Sequence, residues 1–265
     1  NLKKIKYILC EYDLSIDKIK EKDIDVIFHF AAKTDAAQSH INLKEFKKNY
    51  LITKNLVNYC KNKKTKIIFA SSTSVYGSQN KIVNENCNKS ELKPQSPYAK
   101  IKLREEKFIK NNMKKNKFVI LRLGTIFGYS PGIRFHTAVN KFCYQASLGY
   151  PLTVWKTAMN QKRPYLSLHD LNKTLKFIIN NPKKMFIGDI FNIVSLNATV
   201  FDIINIIKKY KKVKIVFVKH KIMNQLSYEV SVKKINDKGL ILKSNFTKYI
   251  KETINKFTYL ESNFK

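Results

Sequence analysis

Short, continuously apolar runs alternate along this chain with longer amphipathic stretches. The apolar runs predict β-strands at residues 5–9, 25–30, 66–71, 118–123 and 189–194. In the second, third and fourth of these runs apolar residues follow one another without alternation, as in strands that are covered on both faces. The stretches 42–62 and 96–113 have the period of amphipathic helices. This order of strands and helices predicts an α/β fold with a doubly wound parallel sheet.

The pattern changes after Gly124, where a loop-like segment (127–135) precedes shorter and more mixed elements. Here the sequence predicts helices at 136–149, 167–181, 199–210 and 246–257, and strands at 151–155 and 213–218. We therefore expect two domains, residues 1–124 and a smaller mixed α/β domain at 125–265. The segment around 165–195 is expected to return to the first domain.

The chain is strongly basic, but its basic residues are almost all lysines. Its 265 residues carry a formal net charge of +32, and only four of the 51 basic residues are Arg. Nucleic-acid sites favour Arg for bidentate and stacking contacts. Lysines spread over the whole chain are instead typical of a solvated surface. We therefore expect no nucleic-acid partner and keep a basic nucleic-acid binder as an alternative.

The composition also indicates where in the cell the protein is expected. No apolar run reaches the ~18 residues of a membrane span, and the first residues lack the apolar core of a secretory signal. The cysteines are far apart and without CxxC spacing, at Cys10, Cys60, Cys87 and Cys143. Free thiols in the reducing cytoplasm are expected, with no disulfide framework, metal site or membrane association.

Polar and small residues follow three predicted strands, in "HFAAKTD" (29–35), "ASSTSVYG" (70–77) and "RLGTIFG" (122–128). In open parallel sheets, ligands bind outside the carboxyl ends of the strands. The row of hydroxyl residues from Ser71 to Ser74 therefore lies where such a sheet has its active site.

Tyr98 and Lys102 are the strongest candidates for chemistry. They are four residues apart on a predicted helix and so share a face. A neighbouring ammonium lowers the pKa of a phenol, which would make Tyr98 an acid/base group near neutral pH. Four such Tyr/Lys pairs occur, starting at Tyr50, Tyr59, Tyr98 and Tyr210. Only Tyr98 follows the Ser-rich strand end, behind a Ser–Pro helix start.

Ser72 lies at the end of the Ser-rich strand and could share a substrate hydroxyl with Tyr98. The alternative for Ser72 is a turn hydroxyl that hydrogen-bonds its own backbone.

Eight segments in order resemble the NAD-dependent nucleotide-sugar epimerase/dehydratase family of extended short-chain dehydrogenases/reductases. They are "DVIFHFAA", "NYLITKNLVNYC", "IIFASSTSVYG", "SPYAKIK", "LRLGTIFG", "GYPLTVW", "KRPYLSLHDL" and "FNIV". They cover nearly the whole chain. The resemblance implies a Rossmann fold, NAD rather than NADP as cofactor, and a nucleotide-diphosphate sugar as substrate.

The resemblance also implies residue roles. It makes Ser72, Tyr98 and Lys102 the catalytic set. Cofactor contacts are implied for Asp13, Leu14, Ala31, Ala32, Lys33, Asn49, Ser71, Tyr98 and Lys102. Substrate contacts are implied for Ser72, Thr73, Tyr98, Thr125, Arg134 and Arg163. Arg163 would clamp the diphosphate, with a surface cation as the alternative. His29 is expected to be a packed strand-end residue, and Asp170 a partner of a helix N-terminus rather than a catalyst.

Two features depart from the family pattern. Thr125 stands where the family usually has Asn. The family opens with a GxxGxxG turn between a strand and a helix, whereas the first glycine here is Gly77. We expect the first two strands, roughly 50–60 residues with their connection, to be missing. The strand at 25–30 would then show an open apolar edge.

The residues after Ser72 narrow the reaction. Sugar dehydratases of the family carry carboxylates there, whereas this chain has Thr73 and Ser74, which cannot act as acid or base near pH 7. We therefore expect C4 epimerisation through a transient 4-keto sugar. The alternatives are a 4-keto reductase or dehydrogenase, a non-catalytic NAD-binding protein and a degenerate family member. By resemblance, helices 42–62 and 96–113 would pair in a homodimer.

Overall fold

The computed structural model describes residues 9, 11–21, 23–218, 227–242 and 245–263. Its strands are β1 (Val26–His29), β2 (Lys66–Ser72), β3 (Phe118–Leu123), β4 (Thr125–Phe127), β5 (Leu152–Trp155), β6 (Lys162–Ser167), β7 (Asp189–Ile193), β8 (Leu196–Thr199) and β9 (Ile215–Val218). Its α-helices are α1 (Gln38–Ile41), α2 (Leu43–Lys61), α3 (Pro97–Asn112), α4 (Ala138–Ser147), α5 (Leu168–Asn180), α6 (Pro182–Met185), α7 (Val200–Lys208), α8 (Lys233–Asp237) and α9 (Phe246–Asn263).

The central sheet is parallel throughout, with the strand order β1-β2-β3-β7. Every side chain of β3 is buried. On one face the sheet packs against α2 and α3, through residues such as Val57 and Ile109. On the other face it packs against α5, through residues such as Leu171 and Ile178. The predicted α/β class with a covered parallel sheet is therefore confirmed.

A second sheet joins the first at Gly124. It has the order β4-β6-β8, and β4 starts one residue after Gly124. The Gly124 N–H donates to Ile193 O at 3.0 Å in the central sheet. A Cβ at this position would lie 3.1 Å from Pro164 O in the second sheet, so a side chain would crowd the crossing. Behind this sheet, α4, α7 and α9 enclose a separate core that includes Phe127 and Phe246.

The predicted return of the segment around 165–195 has a counterpart in the structure, since α5 covers the central sheet and β7 is one of its strands. The boundaries of the two domains remain a prediction.

At the other edge of the central sheet, β1 pairs with β2 and, among the described residues, with no further strand. Phe28 in this strand is 45% exposed, although its neighbour His29 is buried. Within the described ranges this edge of the sheet therefore carries an exposed aromatic side chain, and the open apolar edge expected for residues 25–30 stays a prediction. The strand predicted at 5–9 falls outside the described residues except for Leu9, which is exposed and not in a strand.

Most predicted elements occur within one or two residues of their expected bounds. Helix α9 differs, because it continues beyond residue 257 to Asn263 through a stretch without Gly or Pro. The sequence missed α1, α6, α8, β4, β6 and β8, which are only three to six residues long. Strand β6 was hidden because it starts with Lys162, Arg163 and Pro164, residues that are unfavourable in a strand interior.

Candidate active site

The end of β2 and the start of α3 bring Ser72 and Tyr98 together. Ser72 is the last residue of β2, and Tyr98 is the second residue of α3. The side chain of Ser96 caps α3 by accepting a hydrogen bond from Ala99 N at 3.1 Å, and Pro97 occupies the first helical position. This local signal fixes where the helix starts and turns Tyr98 towards the strand end.

The Ser72 hydroxyl lies close enough to the Tyr98 phenol to lower its pKa. The same hydroxyl accepts a hydrogen bond from Ser74 N at 3.2 Å and so caps the short 3₁₀ turn at 73–76. The structure therefore shows the turn hydroxyl, whereas a shared substrate hydroxyl of Ser72 and Tyr98 stays a prediction.

The ionisation of Tyr98 differs from the sequence-based expectation. Burial raises the pKa of Tyr98, and the carboxylate of Glu105 raises this pKa further, whereas Ser72 and Arg134 lower it. The net result is a pKa above the ordinary value of a phenol, not below it. The physical reason is that burial of the phenol and the nearby carboxylate both raise the pKa of Tyr98, whereas the sequence-based expectation considered only the charge of Lys102.

Lys102 lies in a buried layer behind this pair, with its side chain only 2% exposed. Its Nζ is 3.1 Å from Glu105 Oε2 and 4.6 Å from the centre of the Phe69 ring. A buried ammonium needs such a partner, because its desolvation is otherwise costly. Glu105 is one helical turn beyond Lys102, a spacing that sequence reasoning could have used but did not.

The segment after β1 is held by Asn49 on α2. Its side chain accepts from Lys33 N at 3.0 Å and donates to Lys33 O at 2.9 Å. The backbone that follows Ala31 and Ala32 is therefore fixed at the carboxyl end of the sheet. The segment at 13–14, which was also predicted to contact the cofactor, is hydrogen-bonded to the same helix α2. Asn55 Nδ2 donates to Leu14 O at 2.9 Å.

Asp13, also predicted to contact the cofactor, accepts hydrogen bonds from the backbone and hydroxyl of Ser15. The Ser71 hydroxyl is buried and donates to Glu106 Oε1 at 2.5 Å. Glu106 in turn accepts from Arg122 Nε at 3.0 Å and Nη2 at 2.7 Å. The side chain of Ser71 is thus engaged inside the protein, although a cofactor contact was predicted for this residue.

A groove of about 330 Å³ opens beside the strand ends. Its lining includes Ala32, Lys33, Thr34 and Arg134, and Arg134 donates a hydrogen bond to Thr34. Arg134 also lies near enough to Tyr98 to lower its pKa. One predicted substrate residue, Arg134, thus lines the groove and acts on the ionisation of the phenol.

Two other predicted substrate residues act on Tyr228, which the sequence did not single out. The hydroxyls of Tyr228 and Thr73 are 3.1 Å apart. Burial raises the pKa of Tyr228, while the Thr73 hydroxyl and Arg163, on β6, lower it. Thr125 pairs with Tyr165 of the same strand β6. Tyr228 stands in a segment without any recognisable motif, so no sequence signal could have identified it.

Two residues that were expected to have no catalytic role, His29 and Asp170, lie where the sequence predicted them. His29 is buried, and its Nε2 lies 2.8 Å from Thr53 Oγ1. Asp170 is in the first turn of α5 and its Oδ2 accepts a hydrogen bond from Ser195 Oγ at 2.6 Å. Neither side chain reaches the groove lining.

Across the described ranges, His, Cys, Asp and Glu side chains form no group of three or more that could hold a metal ion. No helix in this part of the chain is long and apolar enough to cross a membrane.

Comparison with known proteins places this geometry in a family. The family model for the NAD dependent epimerase/dehydratase family matches residues 2–194. An ADP-L-glycero-D-manno-heptose-6-epimerase of Brachyspira hyodysenteriae is 28% identical over 225 residues, which are 80% of this chain and 68% of that protein. A dTDP-D-glucose 4,6-dehydratase of Dictyostelium discoideum is 30% identical over 205 residues, 72% of this chain and 45% of that protein.

A solved structure has a similar fold. The UDP-glucuronic acid 4-epimerase of Bacillus cereus, in complex with UDP-glucuronic acid and NAD, superposes with a TM-score of 0.77 at 25% identity. The match covers 94% of this chain and 79% of that structure. The names of these three proteins describe two kinds of epimerisation and one dehydration, so similarity alone does not select the reaction. The predicted family and the NAD in its description agree with these matches, and the chain belongs to the NAD-dependent epimerase/dehydratase family.

Proposed function

We propose that this chain catalyses the C4 epimerisation of a nucleotide-diphosphate sugar with NAD as cofactor. The observation that carries the proposal is the proximity of Ser72 and Tyr98 at the carboxyl end of the sheet, where Ser72 lowers the pKa of Tyr98 and Lys102 is buried on the same helix. A hydroxyl and a phenol side by side in this position can act together on a sugar hydroxyl.

In the proposed mechanism Tyr98 is the acid/base group. Its phenolate, a form that the raised pKa of Tyr98 disfavours in this structure, takes the proton from the C4 hydroxyl of the sugar, and Ser72 donates a hydrogen bond to the alkoxide that develops. When bound, NAD would accept the hydride that leaves C4 and give it back to the opposite face of the 4-keto sugar. Tyr98 returns the proton after the 4-keto sugar has turned its other face to the same site.

The residues at the strand ends fit the nicotinamide half of NAD. The backbone after β1 is fixed by Asn49, and its Ala31 and Ala32 side chains are small enough to leave room for a ring and a ribose. Lys102 would bind the ribose, and Asp13 and Leu14 would contact the adenine. The chain has no glycine before Gly77, so the usual glycine-rich turn for the diphosphate is not among residues 1–76.

The substrate side would consist of hydroxyls and guanidinium groups. Thr73 and Thr125 offer hydroxyls on the side of the second sheet, and Arg134 offers a cation beside the groove. Arg163 would bind the diphosphate in a bidentate manner. Two guanidinium groups suit a ligand that carries two phosphate charges.

The residues after Ser72 favour epimerisation over dehydration. Elimination of water from a keto sugar needs a carboxyl group near the reacting carbons, whereas Thr73 and Ser74 provide only hydroxyls. In addition, the hydroxyl of Thr73 is hydrogen-bonded to that of Tyr228, and the hydroxyl of Ser74 is hydrogen-bonded to that of Ser72. A 4-keto reductase is the second candidate, because the same set of residues transfers one proton in that reaction.

We further propose a cytoplasmic homodimer formed through α2 and α3. Leu51 is exposed on α2, and the Arg104 guanidinium stacks on the ring of Tyr50, 3.9 Å from its centre. Such aromatic and arginine surfaces are favoured at interfaces. Cys60, Cys87 and Cys143 are free thiols, as the reducing cytoplasm would keep them.

The test is to incubate the purified protein with NAD and a small panel of substrates: UDP-glucose, UDP-glucuronic acid and an ADP-heptose. An epimerase converts either C4 epimer into a mixture of both while the total amount of NAD stays oxidised. A dehydrogenase instead produces NADH in proportion to product, and a 4-keto reductase consumes NADH only when a 4-keto sugar is supplied with it. Accumulation of a 4-keto-6-deoxy sugar would mean that dehydration occurs and that the proposal is wrong.

A further inference from the structure

A chain of buried polar contacts runs away from the active site behind Lys102. Lys102 Nζ contacts Glu105 Oε2 at 3.1 Å. Thr53 Oγ1 donates to Glu105 Oε1 at 2.5 Å, and His29 Nε2 is 2.8 Å from the same Thr53 hydroxyl. All four side chains are at least 97% buried. They come from β1, α2 and α3, so the chain of contacts links three elements of the fold.

The direction of these hydrogen bonds follows from the chemistry of the groups. Because the Thr53 hydroxyl gives its only proton to Glu105, it must accept from His29. His29 therefore carries its proton on Nε2. Burial and the charge of Lys102 lower the pKa of His29 to about 3, so the ring is neutral near pH 7. Two donors in series thus point at one carboxylate and fix its orientation.

The second oxygen of that carboxylate is only partly satisfied. Glu105 Oε2 is fully buried and has the contact with Lys102, but the alignment of the two groups does not make a hydrogen bond. A buried carboxylate oxygen without a hydrogen bond is costly. The ammonium of Lys102 is the one cation in contact with it among the described residues.

We propose that Glu105, held by Thr53 and His29, is a positioning residue for Lys102: it keeps the ammonium in the buried layer behind the strand end. This inference rests on the proposed role of Lys102. It accounts for a buried carboxylate that would otherwise lack a cation. The titratable groups of this cluster are Lys102 on α3 and His29 on β1. Glu105 also acts on Tyr98, whose pKa Arg134 and Tyr228 change as well.

The first test measures the position of Lys102 without any turnover. In ¹⁵N-labelled protein at pH 6–7, a buried and paired lysine ammonium exchanges its protons slowly and gives a visible Nζ signal. The signal is assigned by its loss in Lys102→Met. Glu105→Gln is expected to raise the exchange rate of this ammonium about tenfold or more.

Matched variants separate positioning from general damage. Glu106→Gln changes the next residue, an equally buried carboxylate that pairs with Arg122 instead, and should leave the Lys102 signal unchanged. Thr53→Val should accelerate exchange, whereas Thr53→Ser should restore it, because serine keeps the hydroxyl. If Glu105→Gln fails to fold, Thr53→Val and Thr53→Ser decide the matter.

The second readout is the pH dependence of kcat. The Glu105 carboxylate itself raises the pKa of Tyr98, so its loss should move the acidic limb of the profile to lower pH by about half a unit to one unit. A shift of the limb to higher pH would show that a displaced Lys102 outweighs this direct effect. A folded Glu105→Gln variant with unchanged exchange would overturn the inference, as would an equal effect of Glu106→Gln. If the wild type converts no nucleotide sugar, the proposed function fails, while the Lys102 signal still decides the positioning role.

Discussion

The hydroxyl of Ser72 lies close enough to the phenol of Tyr98 to lower its pKa, although one residue ends a strand and the other begins a helix. The contact depends on two local devices, the Ser96 cap of α3 and the 3₁₀ turn after Ser72. It lies at the carboxyl end of a parallel sheet, where such folds bind their ligands. Removing either partner therefore tests the proposed chemistry with little change to the core.

Tyr98→Phe should abolish turnover while the nucleotide sugar still binds. The phenyl ring fills the same buried space beside Phe46 and Ile101, but it has no proton to exchange with the C4 hydroxyl. We expect kcat to fall by about 10²–10⁴, the usual contribution of a positioned acid/base group. Initial rates give kcat and calorimetry gives the binding of the nucleotide sugar. Activity within tenfold of the wild type would contradict the assignment of Tyr98.

Ser72→Ala should slow the reaction and shift its pH dependence. Since the Ser72 hydroxyl lowers the pKa of Tyr98, its loss raises that pKa, and the acidic limb of the kcat profile moves to higher pH. Glu105→Gln is expected to move the same limb to lower pH, so the two variants provide opposite signs in one assay. Ser78→Ala, just beyond the turn, serves as the control for a lost surface hydroxyl. An unshifted limb in Ser72→Ala would show that the Ser72 hydroxyl does not affect the ionisation of Tyr98.

How well the sequence predicted the site depended on whether the signal was local. The placement of Ser72 and Tyr98 follows from a strand end and a helix cap, each visible within a few residues. The contact of Glu106 with Arg122 joins a helix to a strand and has no such signal. Tyr228 meets Thr73 only through the packing of the second sheet against the first.

The pKa of Tyr98 could not be predicted from the spacing of Tyr98 and Lys102 in the sequence either. Its pKa depends on burial and on Glu105, and the exposure of a side chain is a property of the folded protein. For the fold, long apolar runs identified the central sheet, whereas the short strands of the second sheet are polar at many positions. Strand β6 even contains Pro164.

Arg122→Met should strongly destabilise the protein. The guanidinium makes two hydrogen bonds to Glu106 in the core, and its loss leaves a buried carboxylate without a cation. We expect the free energy of unfolding to fall by about 3–5 kcal/mol, measured by urea denaturation. The double variant Arg122→Met/Glu106→Leu should recover most of this loss, because it removes the unpaired charge. Lys208→Met, at an exposed position outside the helices of the proposed dimer, should cost about 1 kcal/mol or less. Equal losses in the two single variants would contradict the explanation.

Gly77→Ala should destabilise the turn that carries Ser72 and Thr73. Gly77 has a φ of 65°, a region that side chains disfavour, and a Cβ there would overlap the backbone of Lys93. A loss of about 2–4 kcal/mol in the free energy of unfolding is expected. Gly132→Ala is the matched control, because a Cβ at Gly132 would meet no atom within 4 Å. Similar stabilities of the two variants would mean that the turn can relax away from Lys93.

The buried His29 should make stability depend on pH in a specific window. Burial, followed by the charge of Lys102, lowers the pKa of His29 from 6.5 to about 3 in the folded protein. Below pH 6.5 the unfolded chain therefore binds a proton that the folded protein does not. The stabilisation that the neutral ring provides is complete above pH 6.5 and is lost progressively as the pH falls towards 3.

The corresponding measurement compares the wild type with His29→Gln, whose amide can still donate to Thr53. From pH 7.5 to pH 4.5 the wild type should lose about 2–3 kcal/mol more of its free energy of unfolding than the variant does. The comparison cancels the contribution of the carboxylates, which both proteins share. Urea denaturation at constant ionic strength gives both curves. Parallel curves would show that His29 binds its proton as easily in the folded protein as in the unfolded chain, and that the contacts through Thr53 do not keep the ring neutral.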